Sequence, residues 1–221
     1  YPILIVKIPF FCKAIGYRHA GRTFRCASGV EKTPKKIYIV SAMALRDIRI
    51  FPDPVLRKEN RPVEVFDERL KELARDMIDT MISKDGVGLA APQVGENVRV
   101  VTIDARTDEE RSRPIVLVNP EIVEKSGDIV WNEGCLSFPG IYEEIKRAEQ
   151  VTLKARNLEG AEFTLKAEGL LAVALQHEID HLEGKLIFDY MSFLRKKLVR
   201  RELKKKVEDM KKEAKETGGL A

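Results

Sequence analysis

The stretch "QHEIDHLEG", residues 176–184, decides how the rest of the chain is read. His177, Glu178 and His181 match H-E-x-x-H, and on a helix positions i and i+4 lie one above the other, so the two histidines can bind one ion. Gly169 and Gly184 bracket the segment as a helix. Leu170, Val173 and Ala174 share roughly the histidine face and would wall an apolar pocket beside the ion. The chain has 3 histidines in all, and two of them stand here with an acid between, which argues against a chance pair of solvated or core imidazoles. A tetrahedral catalytic metal needs a third protein ligand. Glu183, just after the helix, is too near and on the wrong side.

A better place to look is upstream. Cys135 lies in "NEGCLSFPG" (132–140), a turn bounded by glycine and proline. A lone cysteine is commonly a small buried apolar residue. Cys135 is nevertheless the one cysteine beyond the first 42 residues, where Cys12 and Cys26 lie. A Cys/His/His set with one open position is a catalytic geometry, because structural zinc sites close with four protein ligands.

Three segments, "GVGLAAPQVG" (86–95), "EGCLSFPG" (133–140) and "QHEIDHLEG" (176–184), occur in the order and approximate separation of the three motifs of peptide deformylases. The resemblance runs from about Phe51 to Tyr190. It implies an α+β fold of antiparallel strands around a central metal-binding helix. It also implies removal of the formyl group from N-formylmethionyl nascent peptides, with release of formate. The metal ligands would then be Cys135, His177 and His181, holding one divalent ion. One thiolate and two imidazoles suit Zn²⁺ or Fe²⁺, and the resemblance favours Fe²⁺.

Formamide hydrolysis needs an activated water, a proton carrier and donors for the oxyanion. Glu178 is the candidate for taking and returning the proton, and the Gln93 side-chain amide is a candidate oxyanion donor. The resemblance adds the backbone N–H of Leu136. It also makes Gly88 a backbone partner of the substrate peptide, and places Val87, Leu89, Leu170 and Val173 around a methionine pocket. Asp180 and Glu133 are candidates for fixing the ligand histidines, with Arg147 a partner for Asp180. One position departs from the family pattern: many relatives carry an arginine seven residues after the metal cysteine, where this chain has Tyr142.

Working outward, Asp67 reads as an N-cap, followed by Leu70, Leu73, Met77, Ile78 and Met81 at helical spacing. "VRVVTID" and "PIVLVNPEIV" read as strands, the second ending around Pro120. Val151, Leu153 and Ala155 alternate, as do Phe163, Leu165 and Ala167, with "RNLEG" between them as a hairpin turn. Strands outnumber helices and are not interleaved with them, which fits α+β rather than a parallel α/β sheet.

The net charge of +4 conceals a division. Residues 1–42 hold eight Lys/Arg against one acid, residues 195–216 hold eleven against five, and the middle is net acidic. The expected domains are an N-terminal extension (1–42), a catalytic domain (43–190) and a basic amphipathic helix (191–221). That last helix carries Leu203, Val207, Met210 and Ala214 along one side and frays at "TGGLA". For residues 1–42 three readings compete: sequence upstream of a true start at Met43, an organellar transit segment, or an ordered extension. No window approaches the ~18 apolar residues of a membrane span, and 3 widely spaced cysteines suit a reducing compartment. A bacterial-type cytoplasmic setting is expected, or an organelle if 1–42 is a transit segment. Expected partners are nascent peptides and the ribosome near the peptide exit, contacted through the basic helix, with no DNA and no membrane.

Two other functions fit parts of the chain. Another H-E-x-x-H zinc peptidase or amidase would use a third ligand downstream of the helix. A non-catalytic ribosome-binding metalloprotein would explain the basic tail alone.

Overall fold

The computed structural model describes residues 45–104 and 114–217, without the side chains of 210, 211 and 213–217. The expectations for residues 1–42, Met210, Ala214 and the frayed end lie outside these. Helix α1 (Glu68–Ser83) starts where the sequence places it, with the Asp67 carboxylate accepting the Leu70 N–H at 3.1 Å. Leu70, Leu73, Met77 and Met81 are buried, while Ile78 at the stripe's margin is half-buried.

Five strands form one sheet: β1 (Gly88–Ala90), β2 (Val100–Ile103), β3 (Ile115–Ser126), β6 (Gln150–Arg156) and β7 (Glu162–Glu168), in the order β1-β2-β3-β6-β7. Every neighbouring pair is antiparallel. The β6–β7 hairpin is the expected one, with Leu153 opposite Leu165. Its turn is held by Asn157, whose side-chain oxygen accepts the N–H groups of Glu159 and Ala161.

β3 departs from its expected end at Pro120. The strand continues to Ser126, and its pairing with β6 shifts register between Val118 and Glu121. Asn119 there takes a φ of 52°, a conformation asparagine tolerates better than most residues. Proline cannot donate to a ladder, but a bulge absorbs the missing donor and lets the strand resume.

A separate two-stranded sheet, β4 (Ile129–Cys135) with β5 (Phe138–Arg147), carries the cysteine motif. Its pairing slips between Gly134 and Cys135, so the turn through Leu136 and Ser137 begins at the cysteine.

Helix α2 (Gly169–Leu182) is buried on nearly all sides, as its high apolar content requires. Ala172, Ala174, Leu175 and Leu182 pack on Ala90, Val101, Ile103, Leu117 and Leu153 of the five-stranded sheet. Burying each Leu contributes about 1.5–3 kcal/mol. Gly169, at φ 57°, turns the chain from β7 into the helix. At the other end Gly184, at φ 68°, donates to His181 O, and Lys185 donates to Asp180 O at 2.8 Å. This pair of bonds closes the last turn as a Schellman cap. The Asn60 amide adds bonds to the carbonyls of His181 and Leu182, so the preceding strap ties down the end that carries His181.

Short helix α3 (Ile187–Tyr190) leads into α4 (Phe193–Thr217). Val199 and Leu203 of α4 join Phe138, Ile141, Ile145 and Phe188 in a second core cluster. The buried stripe of α4 thus begins one turn before Leu203, and Val207 is half-buried. Among the described residues, no helix is long and apolar enough to cross a membrane.

Candidate metal centre and active site

Helix α2 and the end of β4 bring Cys135, His177 and His181 together. Their donor atoms all lie within 4.8 Å of one another. The Cys135 Sγ is 3.3 Å from His181 Nε2, and the two imidazoles cross at 72° with centroids 5.1 Å apart. Among the described residues this is the one set of Cys, His and acidic side chains close enough to share an ion. The donors suit such an ion: one thiolate and two imidazoles make three protein ligands, which leaves a coordination position for water or substrate. Glu183 is not part of the set, since its carboxylate pairs with Lys185.

The two histidines are held differently. Burial opposes a charge on His177, but contacts with Cys135 and with Glu133 outweigh it and raise its pKa. Burial pushes His181 well below its ordinary value, and the neighbouring His177 adds to this. His181 is therefore already the neutral imidazole that a metal takes, and its Nδ1 is buried with no partner among the described residues. His177 Nδ1 meets Glu133 Oε2 at 2.8 Å, which fixes the ring and turns Nε2 to the ligand side.

Behind Glu133 lies an ion network linking three elements. Arg147, at the end of β5, donates to both Glu133 oxygens at 2.7 and 3.0 Å, and its third nitrogen reaches Asp180. Burial works to raise the Glu133 carboxyl, but hydrogen bonds from His177 and Arg147 hold it below the usual range. The sequence pairs Arg147 with Asp180 alone; the structure makes it the link between both acids. Tyr190 escaped the sequence reading. Its hydroxyl donates to Asp180 at 2.7 Å, and the Arg147 guanidinium stands 4.8 Å over its ring. Nothing local around residue 190 signals a partner ten positions earlier on another helix.

Glu178, between the two histidines, is buried, and its Oε2 has no hydrogen-bond partner among the described residues. Burial pushes its carboxyl up to about 7. The Gln93 side chain is oriented by the Ala90 N–H, donated to its Oε1 at 2.8 Å. Its Nε2 therefore points at Cys135 Sγ (3.6 Å) and Ser137 Oγ (3.3 Å). Ser137 is fully buried and was not singled out in the sequence, although it lies within the cysteine motif.

The remaining candidates divide. Gly88 stands on β1 against Glu178, and Leu136 is half-buried directly after Cys135. Val87 and Leu170 are partly exposed and Val173 is buried. The Leu89 side chain packs among Leu70, Met77 and Met81 of the α1 cluster, against which Leu136 also packs. Side chains alternate along a strand, so Gly88 facing α2 sends Leu89 to the opposite face. Ala174 likewise packs into the sheet core. The Tyr142 ring lies over Gly134, where an added Cβ would come within 2.8 Å of it.

Known proteins resemble this chain over the same region. A model of the family described as polypeptide deformylase matches residues 45–197. A peptide deformylase of Alkalilimnicola ehrlichii is 49% identical over 165 residues, covering 75% of this chain and 92% of that protein. One from Dictyoglomus thermophilum is 51% identical over 145 residues, covering 66% and 92%. Among solved structures, a peptide deformylase from Legionella pneumophila superposes with a TM-score of 0.71 at 49% identity, covering 76% of this chain and 98% of that one. Arabidopsis thaliana peptide deformylase 1B gives 0.66 at 42%, covering 79% and 94%. With three-quarters of its length matched at this level and the matched segment carrying the Cys/His/His cluster, the chain belongs to the polypeptide deformylase family.

Proposed function

We propose that this chain hydrolyses the N-formyl group from the formylmethionine end of nascent polypeptides, releasing formate, with Cys135, His177 and His181 holding one divalent metal. The observation that carries this reading is the convergence of those three donors beside a buried carboxylate, one oxygen of which has no partner among the described residues, and an oriented amide. Bound there, the metal supplies Lewis acidity, lowering the pKa of a water from 15.7 toward about 7 and polarising the formyl oxygen. Glu178 takes the proton of the attacking water and returns it to the departing nitrogen as the C–N bond breaks. A carboxyl held near 7 is suited to both halves of that exchange at neutral pH. The Gln93 Nε2 and the backbone N–H of Leu136 meet the oxyanion, and losing one such donor typically costs about 10²–10³ in kcat. The backbone of Gly88 pairs with the peptide, while Val87, Leu170 and Val173 receive the methionine side chain, with Leu89 left out. The metal is Fe²⁺ in this reading, with Zn²⁺ the alternative.

Formyl-Met and acetyl-Met peptides provide the test. Metal-loaded protein is expected to release formate from the first and to leave the second intact, and chelation abolishes turnover. Cleavage of internal peptide bonds without formate would sink the proposal. Metal analysis of anaerobically prepared protein identifies the ion.

The same reading places the chain at the ribosome, in a bacterial-type cytoplasm or in an organelle if residues 1–42 are a transit segment. Residues 195–216 of α4 carry the basic excess, and the exposed positions Arg201, Lys204 and Lys205 face away from the core. Removing the whole helix is a poor test, because Val199 and Leu203 belong to the core and Arg195 pairs with Glu143. Reversing Arg201, Lys204 and Lys205 to Glu is the sharper one. Ribosome affinity is expected to fall at least about tenfold, with a reduced salt dependence, while short formyl peptides turn over as before. Ribosome binding that does not change refutes the docking role.

A further inference from the structure

Gly88 is a glycine for a reason other than backbone freedom. It is absent from the glycines with positive φ, and it pairs in register with Ile103 as an ordinary strand residue. An alanine could adopt this backbone without strain. What it could not do is find room. A Cβ built at residue 88 would lie 2.5 Å from Glu178 Oε1, 2.7 Å from its Cγ and 2.9 Å from its Cδ. The collision is with one side chain, and along most of its length.

Such a collision is relieved where the nearest atom is the free end of an exposed side chain. At Gly140 the nearest atom is the ammonium of exposed Lys206, which can swing into solvent. Glu178 has no comparable escape. It is 4% exposed, on a helix whose neighbouring residues Leu175, Ile179 and Leu182 are buried, and Ala90 and Ala91 beside Gly88 are fully buried. The carboxylate occupies the space that a side chain on β1 would take.

We propose that Gly88 is a positioning residue for Glu178: its missing side chain is the slot that fixes the carboxylate at the metal cluster. This rests on Glu178 being the proton carrier, and it is separate from any pairing of the Gly88 backbone with the peptide, since alanine offers the same N–H and C=O. Restoring ordinary contact moves the Glu178 carboxylate by about an ångström, and misplacement on that scale can cost about 10² in rate. The three atoms nearest the added Cβ all belong to the Glu178 side chain, so the collision falls on that side chain first.

The test pairs two substitutions. Gly88→Ala is expected to lower kcat for a formyl-Met peptide about 100-fold, with metal content near that of the parent. In a Glu178→Ala background the slot is empty, so this pair folds even if Gly88→Ala alone does not. There, adding Gly88→Ala is expected to leave the calorimetric affinity for the formyl-Met peptide within about threefold, below the tenfold that 1.4 kcal/mol represents. Two results overturn the proposal: a Gly88→Ala enzyme with parental kcat, or a tenfold loss of peptide affinity on adding Gly88→Ala to Glu178→Ala, which would give the space to the substrate. Glu178→Gln alone reports on the proton-carrier role, so failure of that premise is read independently of the Gly88 pair.

Discussion

Glu178→Gln is expected to lower kcat on formyl-Met peptides by about 10²–10⁴ while one metal ion per chain is retained. Glutamine keeps the size of the side chain, so the packing against Gly88 and Ala90 survives. What it removes is the ability to accept a proton from the attacking water. Metal binding should be untouched, because Glu178 stands outside the Cys135, His177 and His181 set. Stability should not fall either, because burial already disfavours the Glu178 charge. Steady-state kinetics together with metal analysis and a melting curve check all three statements on one variant. A Gln variant within tenfold of the parent kcat would remove Glu178 from the reaction. A variant that loses metal would instead make it a structural partner of the site.

How much of this was legible beforehand depended on whether the signal was local. His177 and His181 stand four apart on one helix face, a spacing visible in any window. The Asp67 cap and the β6–β7 hairpin are also local, and they form where the sequence puts them. Cys135 needed the turn chemistry of its loop and the company of two further motifs. Pro120 misled because a proline inside a strand has two outcomes, ending it or bulging it, and β6 alongside decides between them. Leu89 is placed by the resemblance alone, and a three-residue strand shows too little alternation to fix which face its middle residue takes. Tyr190 and Asn60 carry no local mark at all. Each acts on α2 across the fold, Tyr190 through Asp180 and Asn60 through the carbonyls of His181 and Leu182.

Glu133→Ala is expected to damage the protein in a different way, lowering both stability and metal affinity. The Glu133 carboxylate accepts from Arg147 twice and from His177 once, and its side chain and that of Arg147 are 3% and 5% exposed. Truncation leaves the guanidinium buried with only Asp180 and Tyr190 for partners. Breaking a buried ion pair from one side costs about 3–5 kcal/mol, and for a chain of this size that corresponds to a fall in Tm of roughly 6–20 °C. The His177 ring loses the acceptor that fixes its orientation, so metal affinity should fall about 10–100-fold. Glu133→Gln keeps an acceptor for His177 but not the charge facing Arg147. It should therefore recover more of the metal affinity than of the stability. Denaturant unfolding of metal-free protein and competition with a metal chelator separate the two effects. If Glu133→Ala binds metal as tightly as the parent, the network serves the fold alone and His177 is oriented by the helix. If affinity drops while unfolding is unchanged, Arg147 is satisfied by Asp180 and Tyr190 without Glu133, and the acid is there for the histidine.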